Sequence, residues 1–457
     1  MSTTRTTRKR TRTTALLWIG LAAIVAIVVA VAGCGSASNA TSTPSSRASA
    51  APSGSTNVTG TVSIMAVWSG DEQKDFQKVI AGFNAIYPNV KVKYTSEGDQ
   101  LPTVLGTAVQ GGNPPTLAVV PQPGLMKQFQ SRGKLKPLDF AKSTIAANYT
   151  ADWVKLTTVN GHLYGLVFKG ANKSTVWYNA PAFKAAGIDP PKDWISLLTD
   201  AKTLKASGVP AYSIGADVGW PLTDLFENIY LRTAGPNMYD KLTAHEIAWT
   251  DPSVTTALTT MAQVIGDTGN LAGGRNGALQ NDFPTSVSNA FSNPPKGAMV
   301  FEGDFVEGVI TSSTTAKPGT GFNFFAFPTI DSKGSGYVMG GGDTVIMFKD
   351  TPASEAFVEY LATPQAAEIW AKLGGFSSPN KNVPASVYSD PIGRQAAIDL
   401  AHATTFRFDM SDQAPSAFGG TSGQGEWKIL TDFLAHPSNV HGTQTQLEAA
   451  AAKAYAK

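Results

Sequence analysis

Tryptophan falls beside small or polar residues at four points in this 457-residue chain: Trp68-Ser69-Gly70-Asp71, Trp177-Tyr178-Asn179, Gly219-Trp220-Pro221 and Gly425-Glu426-Trp427. Such groupings suit a ligand with apolar C–H faces and many hydroxyls, as a sugar has. Indole rings take the faces, while Asp, Glu, Asn and Lys take the hydroxyls. Each ring also has a plain reading, as part of a hydrophobic core. The signals for covalent chemistry are weaker. The sequence has no Gly-x-Ser-x-Gly elbow, no Walker loop and no His-Glu-x-x-His helix. Its five histidines are scattered, and His436 and His441 flank a proline in an expected loop, which is poor metal-site spacing. Glu302 and Asp304 have the types needed for glycoside hydrolysis, but neighbouring acids are common. The glycine-rich stretch 334–342 misses dinucleotide-loop spacing and reads as a flexible turn.

The elements that must carry these residues alternate strand and helix. Residues 62–68 form an apolar run, followed by Phe76, Val79, Ile80, Phe83 and Ile86 at helical spacing. Strands are expected at 90–95 and 116–120, with a helix over 101–110. Strands separated by helices imply parallel βαβ units. A second set starts at 175–179, with helices from Pro181, over 193–206 and 220–233, and from Pro252, and a strand at 212–214. Strands return at 297–301, 322–328 and 344–348. After Pro352 the pattern is helical: 352–362, 364–373, 393–403, 427–435 and 445–457. Two α/β blocks, a return to strands and a helical tail imply two lobes with several crossovers. Ligands of such folds sit at strand C-termini and between lobes.

Length agrees with two or three compact bodies, and the 42% hydrophobic content rules out a mainly disordered chain. A single cysteine rules out an internal disulfide framework. The formal charge of +2 is carried by five basic residues before residue 13; the rest has 31 basic against 34 acidic side chains. That balance gives no reason to hold nucleic acid. The basic start, the uncharged run 15–32 and the small residues before Cys34 have the order of a secretory signal. An uncleaved membrane anchor fits the same pattern. Val31-Ala32-Gly33-Cys34 is similar to a bacterial lipobox, which implies lipidation of Cys34. Residues 35–60 are rich in Ser, Thr, Ala and Pro and read as a disordered tether spanning roughly 30 Å.

From about residue 60 to the end, the chain resembles the extracellular solute-binding proteins of ATP-driven carbohydrate importers, the maltose-binding-like family 1 group. The resemblance rests on VSIMAVWSGDEQKDFQKVIAGFNAIYP (62–88), VLGTAVQGGNPPTLAVVPQPG (104–124), HLYGLVFKGANKSTVWYNA (162–180), GAMVFEGD (297–304) and GGFSSPN (374–380). Within the group, 219–235 and 245–254 are most similar to alpha-glucoside binders. The resemblance implies an α/β, two-lobe clamshell of the type II periplasmic-binding-protein kind. One lobe would hold 61–168 plus 297–348 and the other 172–296 plus 352–457, with crossovers near 169–171, 296 and 349–351. It implies a monomer held on the extracellular face of the cell membrane that captures a sugar and delivers it to permease subunits, with no cofactor, metal or reaction of its own. Carried over by position, the ligand-binding residues would be Trp68, Asp71, Glu72, Asp99, Gln122, Lys169, Asn172, Trp220, Asp224, Glu302, Asp304 and Asp343. Phe376, Arg407 and Trp427 complete the set. A binder of another solute (glycerol phosphate or a polyamine) and an anchored carbohydrate-active enzyme remain alternatives.

Overall fold

The computed structural model describes residues 57–456. The expected signal segment 1–34, Cys34 and most of the expected tether lie outside the described residues. No described helix is long and apolar enough to cross a membrane.

Strands β1 (Gly60–Ala66), β2 (Val90–Ser96) and β3 (Leu117–Val120) come first. They are followed by the short pair β4 (Thr158–Val159) and β5 (His162–Leu163), then β6 (Gly165–Asn172) and β7 (Thr175–Asn179). β8 (Met299–Phe301), β9 (Phe322–Ala326), β10 (Tyr337–Met347) and β11 (Thr405–Phe408) complete the described strands. The larger sheet runs β11-β10-β3-β1-β2, with β6 on the free side of β10. β1 lies parallel to both β2 and β3, and the helices Gly70–Ile86 and Leu101–Gln110 make the crossovers. Its two faces are apolar because side chains alternate along each strand. Val62, Ile64 and Ala66 of β1 join Phe76, Val79, Ile80 and Phe83 on one face. Met65 and Val67 turn to the other, against Leu101, Leu105 and Phe129.

The smaller sheet is antiparallel, β8-β7-β9. β7 alternates in the same way: Val176 enters the large core beneath the helix Trp220–Thr233, and Trp177 enters a separate cluster with Val287, Phe291 and Phe322. Trp177 is therefore a core residue, with its indole N–H donated to Thr175 Oγ1 at 3.0 Å and the Gly303 carbonyl at 3.1 Å.

Three sequence expectations change. The cores divide the chain differently from the expected lobes. β8 and β9 pair with β7, which takes 299–326 into the second body. The helices Pro352–Leu361 and Pro364–Ala371 bury Phe357, Leu361 and Trp370 against Phe76 and Phe83 in the first body. The chain thus passes between bodies at 172–175, at 327–337 and again before Met410. Sequence spacing marks a strand without saying which sheet it joins. Residues 212–214 form no strand; Tyr212 makes only single bridges to Leu271 and Met299.

Residues 334–336 do turn, the Tyr337 N–H reaching the Gly334 carbonyl at 3.2 Å, but the rest of the glycine-rich stretch does not. Gly340, Gly341 and Gly342 lie within β10, opposite Asn172, Ala171 and Gly170 of β6. Glycine is required there by close approach. A Cβ on Gly340 would meet the Ala171 carbonyl oxygen at 2.9 Å, and one on Gly342 would meet the Lys169 carbonyl oxygen at 2.9 Å. β10 serves both bodies: Thr344–Met347 pairs with β3, and Tyr337–Gly340 pairs with β11.

Candidate ligand-binding site

A cleft of about 670 Å³ opens between the two bodies, lined by residues of both. The first body supplies the segments that follow its parallel strands: 67–72 after β1, Asp99 after β2, and Pro121 and Gln122 after β3. Lys169 on β6, Asp343 on β10 and Trp370 form the floor on this side. The second body supplies Trp220, Thr223 and Asp224 from one helix, Phe305, and Trp427 from another. Asp409, Ser411 and Asp412 line it just beyond β11. Strand ends collect such residues because the backbone there leaves the sheet and side chains are no longer committed to a core.

Two lysines, Lys169 buried and Lys173 partly so, organise the charges. Lys169, 3% exposed, is ion-paired with Glu72 and stands 5.5 Å from the ring centres of Phe305 and Trp370. Burial works against its charge, but Glu72, Asp343 and Asp304 outweigh it, so its pKa is raised. Burial raises Asp343 in turn, opposed by Lys169 and by the Trp68 indole N–H, which donates to it at 2.7 Å. Lys173 approaches Asp224 at 3.1 Å, Asp409 at 2.5 Å and Asp412 at 3.6 Å. Burial pushes Asp224 up to about 7, with Lys173 opposing and Asp409 adding to the rise. Asp409 goes the other way. Burial disfavours its charge, yet Lys173 and the Asp412 backbone N–H hold it at about 2. Burial and the charge of Asp409 push Asp412 well above the carboxylate range.

Trp220 is half-buried, and its ring packs on Phe283 at 5.1 Å and Phe305 at 6.1 Å. Its N–H points toward Asp99 without completing a hydrogen bond. Asp99 is exposed to water yet flanked by the opposite wall. That enclosure pushes it up to about 6; Asp217 and Asp282 add to the rise, and the Trp220 N–H opposes it. Asp71 is held low by Lys74, whose ammonium lies 2.6 Å away.

Of the residues carried over from the sequence, the cleft gathers Trp68, Asp71, Glu72, Asp99, Gln122, Lys169, Trp220, Asp224, Asp343 and Trp427. Trp68 does so with little free face. It is 1% exposed and wedged between Phe76 at 4.7 Å and Trp370 at 4.8 Å. Five others lie elsewhere. Asn172 turns behind β6, where its side-chain amide donates to the Ala396 carbonyl at 3.3 Å. Asp304 accepts from the Asn172 backbone N–H and from the Ser377 hydroxyl. Glu302 is buried behind Asp224. Phe376 packs on Trp370 and Phe168. Arg407 makes a two-pronged pair with Asp240 at 2.6 and 2.9 Å.

Lys173, Asp409, Ser411, Asp412, Phe305 and Trp370 line the cleft without having been singled out in sequence. Lys173 lies one residue beyond β6, and continuing that strand's period of two from Lys169 through Ala171 reaches it and bypasses Asn172. Asp409 and Asp412 depend on β11, whose four residues leave too short a pattern to be seen.

Comparison with known proteins bears on the family and the fold. The family model for bacterial extracellular solute-binding protein matches residues 68–368, and the chain belongs to that family. The alpha-glucosides-binding periplasmic protein AglE of Rhizobium meliloti (strain 1021) is 34% identical over 394 residues, 83% of this chain and 84% of that protein. The osmoprotective compounds-binding protein GgtB of Synechocystis sp. (strain ATCC 27184 / PCC 6803 / Kazusa) is 32% identical over 391 residues, 84% of this chain and 90% of that protein. Among solved structures, the bacterial solute receptor AcbH superposes with a TM-score of 0.76 at 20% identity, covering 87% of this chain and all of that one. A chitin oligosaccharide binding protein gives 0.75 at 18% identity, covering 87% of this chain and 100% of that one. The fold is the α/β two-lobe clamshell of type II periplasmic binding proteins.

Proposed function

We propose that this chain is the substrate-capturing component of an ABC importer for a neutral sugar, an oligosaccharide or alpha-glucoside in particular. The observation that carries the reading is the cleft itself, where Trp220 stands among acceptors from both bodies: Asp71 and Asp343 on one side, Asp224 and Asp412 on the other. A polyhydroxylated ligand touching both walls stabilises the closed arrangement, and the closed form is what the permease receives. The protein works as a monomer on the extracellular face of the membrane, tethered through a lipid on Cys34, and performs no reaction. The resemblance to AglE supports an alpha-glucoside. The resemblance to GgtB favours a second reading, an osmoprotective solute held in the same cleft. Anionic ligands are disfavoured by the carboxylates, although Lys169 and Lys173 are present, because both lysines are already paired.

A thermal-shift screen of the purified protein tests this. Maltose, trehalose, sucrose, cellobiose, xylobiose, glycerol 3-phosphate and spermidine are the probes. A ligand at 100 times its Kd adds about 2.7 kcal/mol and raises Tm by a few degrees. A shift with maltose, trehalose or sucrose alone supports the alpha-glucoside reading. A shift confined to cellobiose or xylobiose keeps the sugar and removes the alpha-glucoside. A shift confined to glycerol 3-phosphate or spermidine overturns the sugar.

A further inference from the structure

We propose that the seam between the helix Pro123–Ser131 and residues 410–420 is a latch that holds the two bodies at ligand-binding spacing, with Gly124, Gln128 and Ser416 as positioning residues. The seam continues the cleft floor. Gln122 precedes the helix as its N-cap and lines the cleft, and Ser411 and Asp412 line it from the second body. Two residues beyond Gln122 and Asp412 the backbones meet. A Cβ on Gly124 would stand 2.0 Å from the Ala414 carbonyl oxygen and 2.8 Å from that of Gln413. Further along, the Ser416 hydroxyl donates to Gln128 Oε1 at 2.7 Å. At the cleft side, a Cβ on Gly420 would lie 3.1 Å from Gln122 Cγ. Gly124, Gln128, Ala414 and Ser416 do not line the cleft themselves. The seam therefore joins the bodies through the chain's own atoms, out of reach of the ligand.

Each side of the seam is fixed in its own core. Leu125, Met126 and Phe129 set the helix in the first body beside Leu101, Leu105 and Phe348. Met410, Ala414 and Phe418 belong to the second core with Phe226, Trp249 and Leu430. The Glu227 carboxylate also accepts from the Met410 and Ser411 backbone N–H groups at 2.5 and 2.9 Å. Glycine does not serve the helix here, since alanine is the better helix former and Gly124 has no left-handed φ. It serves the close approach. A methyl group in its place needs about 1 Å more between the segments, from 2.0 Å to a contact of at least 3.0 Å. The chain crosses between the bodies just before Met410, so the seam lies near the pivot. A small separation there becomes a larger one at the cleft mouth, and acceptors on the two walls then fall out of reach of one ligand. The consequence for affinity rests on the reading that the cleft holds a sugar; the consequence for spacing does not.

Small-angle scattering of the unliganded protein, together with calorimetric titration of maltose, trehalose and sucrose, tests the latch. Gly124→Ala is expected to enlarge the radius of gyration. It should also weaken binding of whichever sugar wild type takes by about tenfold or more, as cutting the binding-competent fraction tenfold does. Its unfolding midpoint should stay near that of wild type, because neither core is altered. Gln128→Ala adds no bulk and removes only the hydrogen bond from Ser416. It is expected to move both readings the same way, with affinity falling about two- to tenfold. A merely structural role would lower the unfolding midpoints while leaving the radius and the affinity of the folded protein at wild-type values, and that result overturns the proposal. So does a smaller radius with tighter binding, which would make the seam a spacer holding the bodies apart. Should Gly124→Ala fail to fold, Gln128→Ala decides alone. Should folded wild type bind none of the three sugars, the sugar reading fails, and the radii of the variants still decide the latch.

Discussion

Trp220 and Trp177 present the same short-range context, an indole next to polar residues, and the fold gives them opposite duties. Trp177 is fully enclosed and both its ring and its N–H are spent on the second core. Trp220 keeps a half-buried face in the cleft and an N–H without a completed bond. Trp220→Ala is expected to leave the fold intact and weaken ligand binding by about ten- to a hundredfold, as loss of an aromatic anchor does. Trp177→Ala is expected to cost about 3–5 kcal/mol of stability. The ligand affinity of its remaining folded fraction should be unchanged. Denaturant unfolding and ligand titration of the two variants separate the roles; equal effects on both observables would refute the assignment. The sequence alone shows residue type and neighbours, and the two tryptophans differ only in which face of which element they occupy. Lys169 and Lys173 were separable from Asn172 by strand alternation. Glu302 and Asp304 were not separable from Asp224, because a buried acid behind the wall and an acid on it carry the same letters.

The elements show a related division. The helices and parallel strands of the first body were legible because each has a face: Phe76, Val79, Ile80 and Phe83 repeat at helical spacing, and β3 is four apolar residues between turns. β10 was half legible. Its apolar end reads as a strand, while its glycines read as a turn until β6 is set beside them, since close approach of two backbones leaves no local mark. Gly219 shows how such an approach shapes the site. It has φ +101°, caps the helix that begins at Trp220, and a Cβ there would collide with the Trp427 backbone carbonyl. One glycine therefore sets the spacing of two tryptophans that line the cleft. Gly219→Ala combines a left-handed backbone with a backbone clash and is expected to cost about 1–3 kcal/mol. It should also weaken binding, because Trp427 must move. A variant with wild-type unfolding midpoint and wild-type affinity would show that the contact is freely relieved.

At the scale of the whole molecule, the two bodies carry like charges across the mouth of the cleft. Asp99 belongs to the first body, and Asp217 and Asp282 belong to the second; together with enclosure they raise Asp99 to about 6. Drawing the walls together shortens these separations, so the repulsion opposes closure while Asp99 is ionised. The sign follows from the direction of the shift. A carboxyl whose pKa is raised favours its protonated form in the enclosed state, so closure gains as pH falls through about 6 and loses as pH rises above it. Asp217 is the partner to alter, because it does not line the cleft and its Oδ1 merely accepts from the Val218 backbone N–H, a bond that asparagine retains. Asp217→Asn is expected to raise ligand affinity at pH 7.5 about two- to fivefold, since one screened like-charge contact is worth on the order of 0.5–1 kcal/mol. The gain should shrink as salt is raised to 0.5 M, where screening acts over a few ångströms. Small-angle scattering of the unliganded variant should also give a smaller radius of gyration than wild type. Unchanged affinity in low salt would mean that water between the walls already screens these charges, leaving closure to the contacts the ligand itself makes.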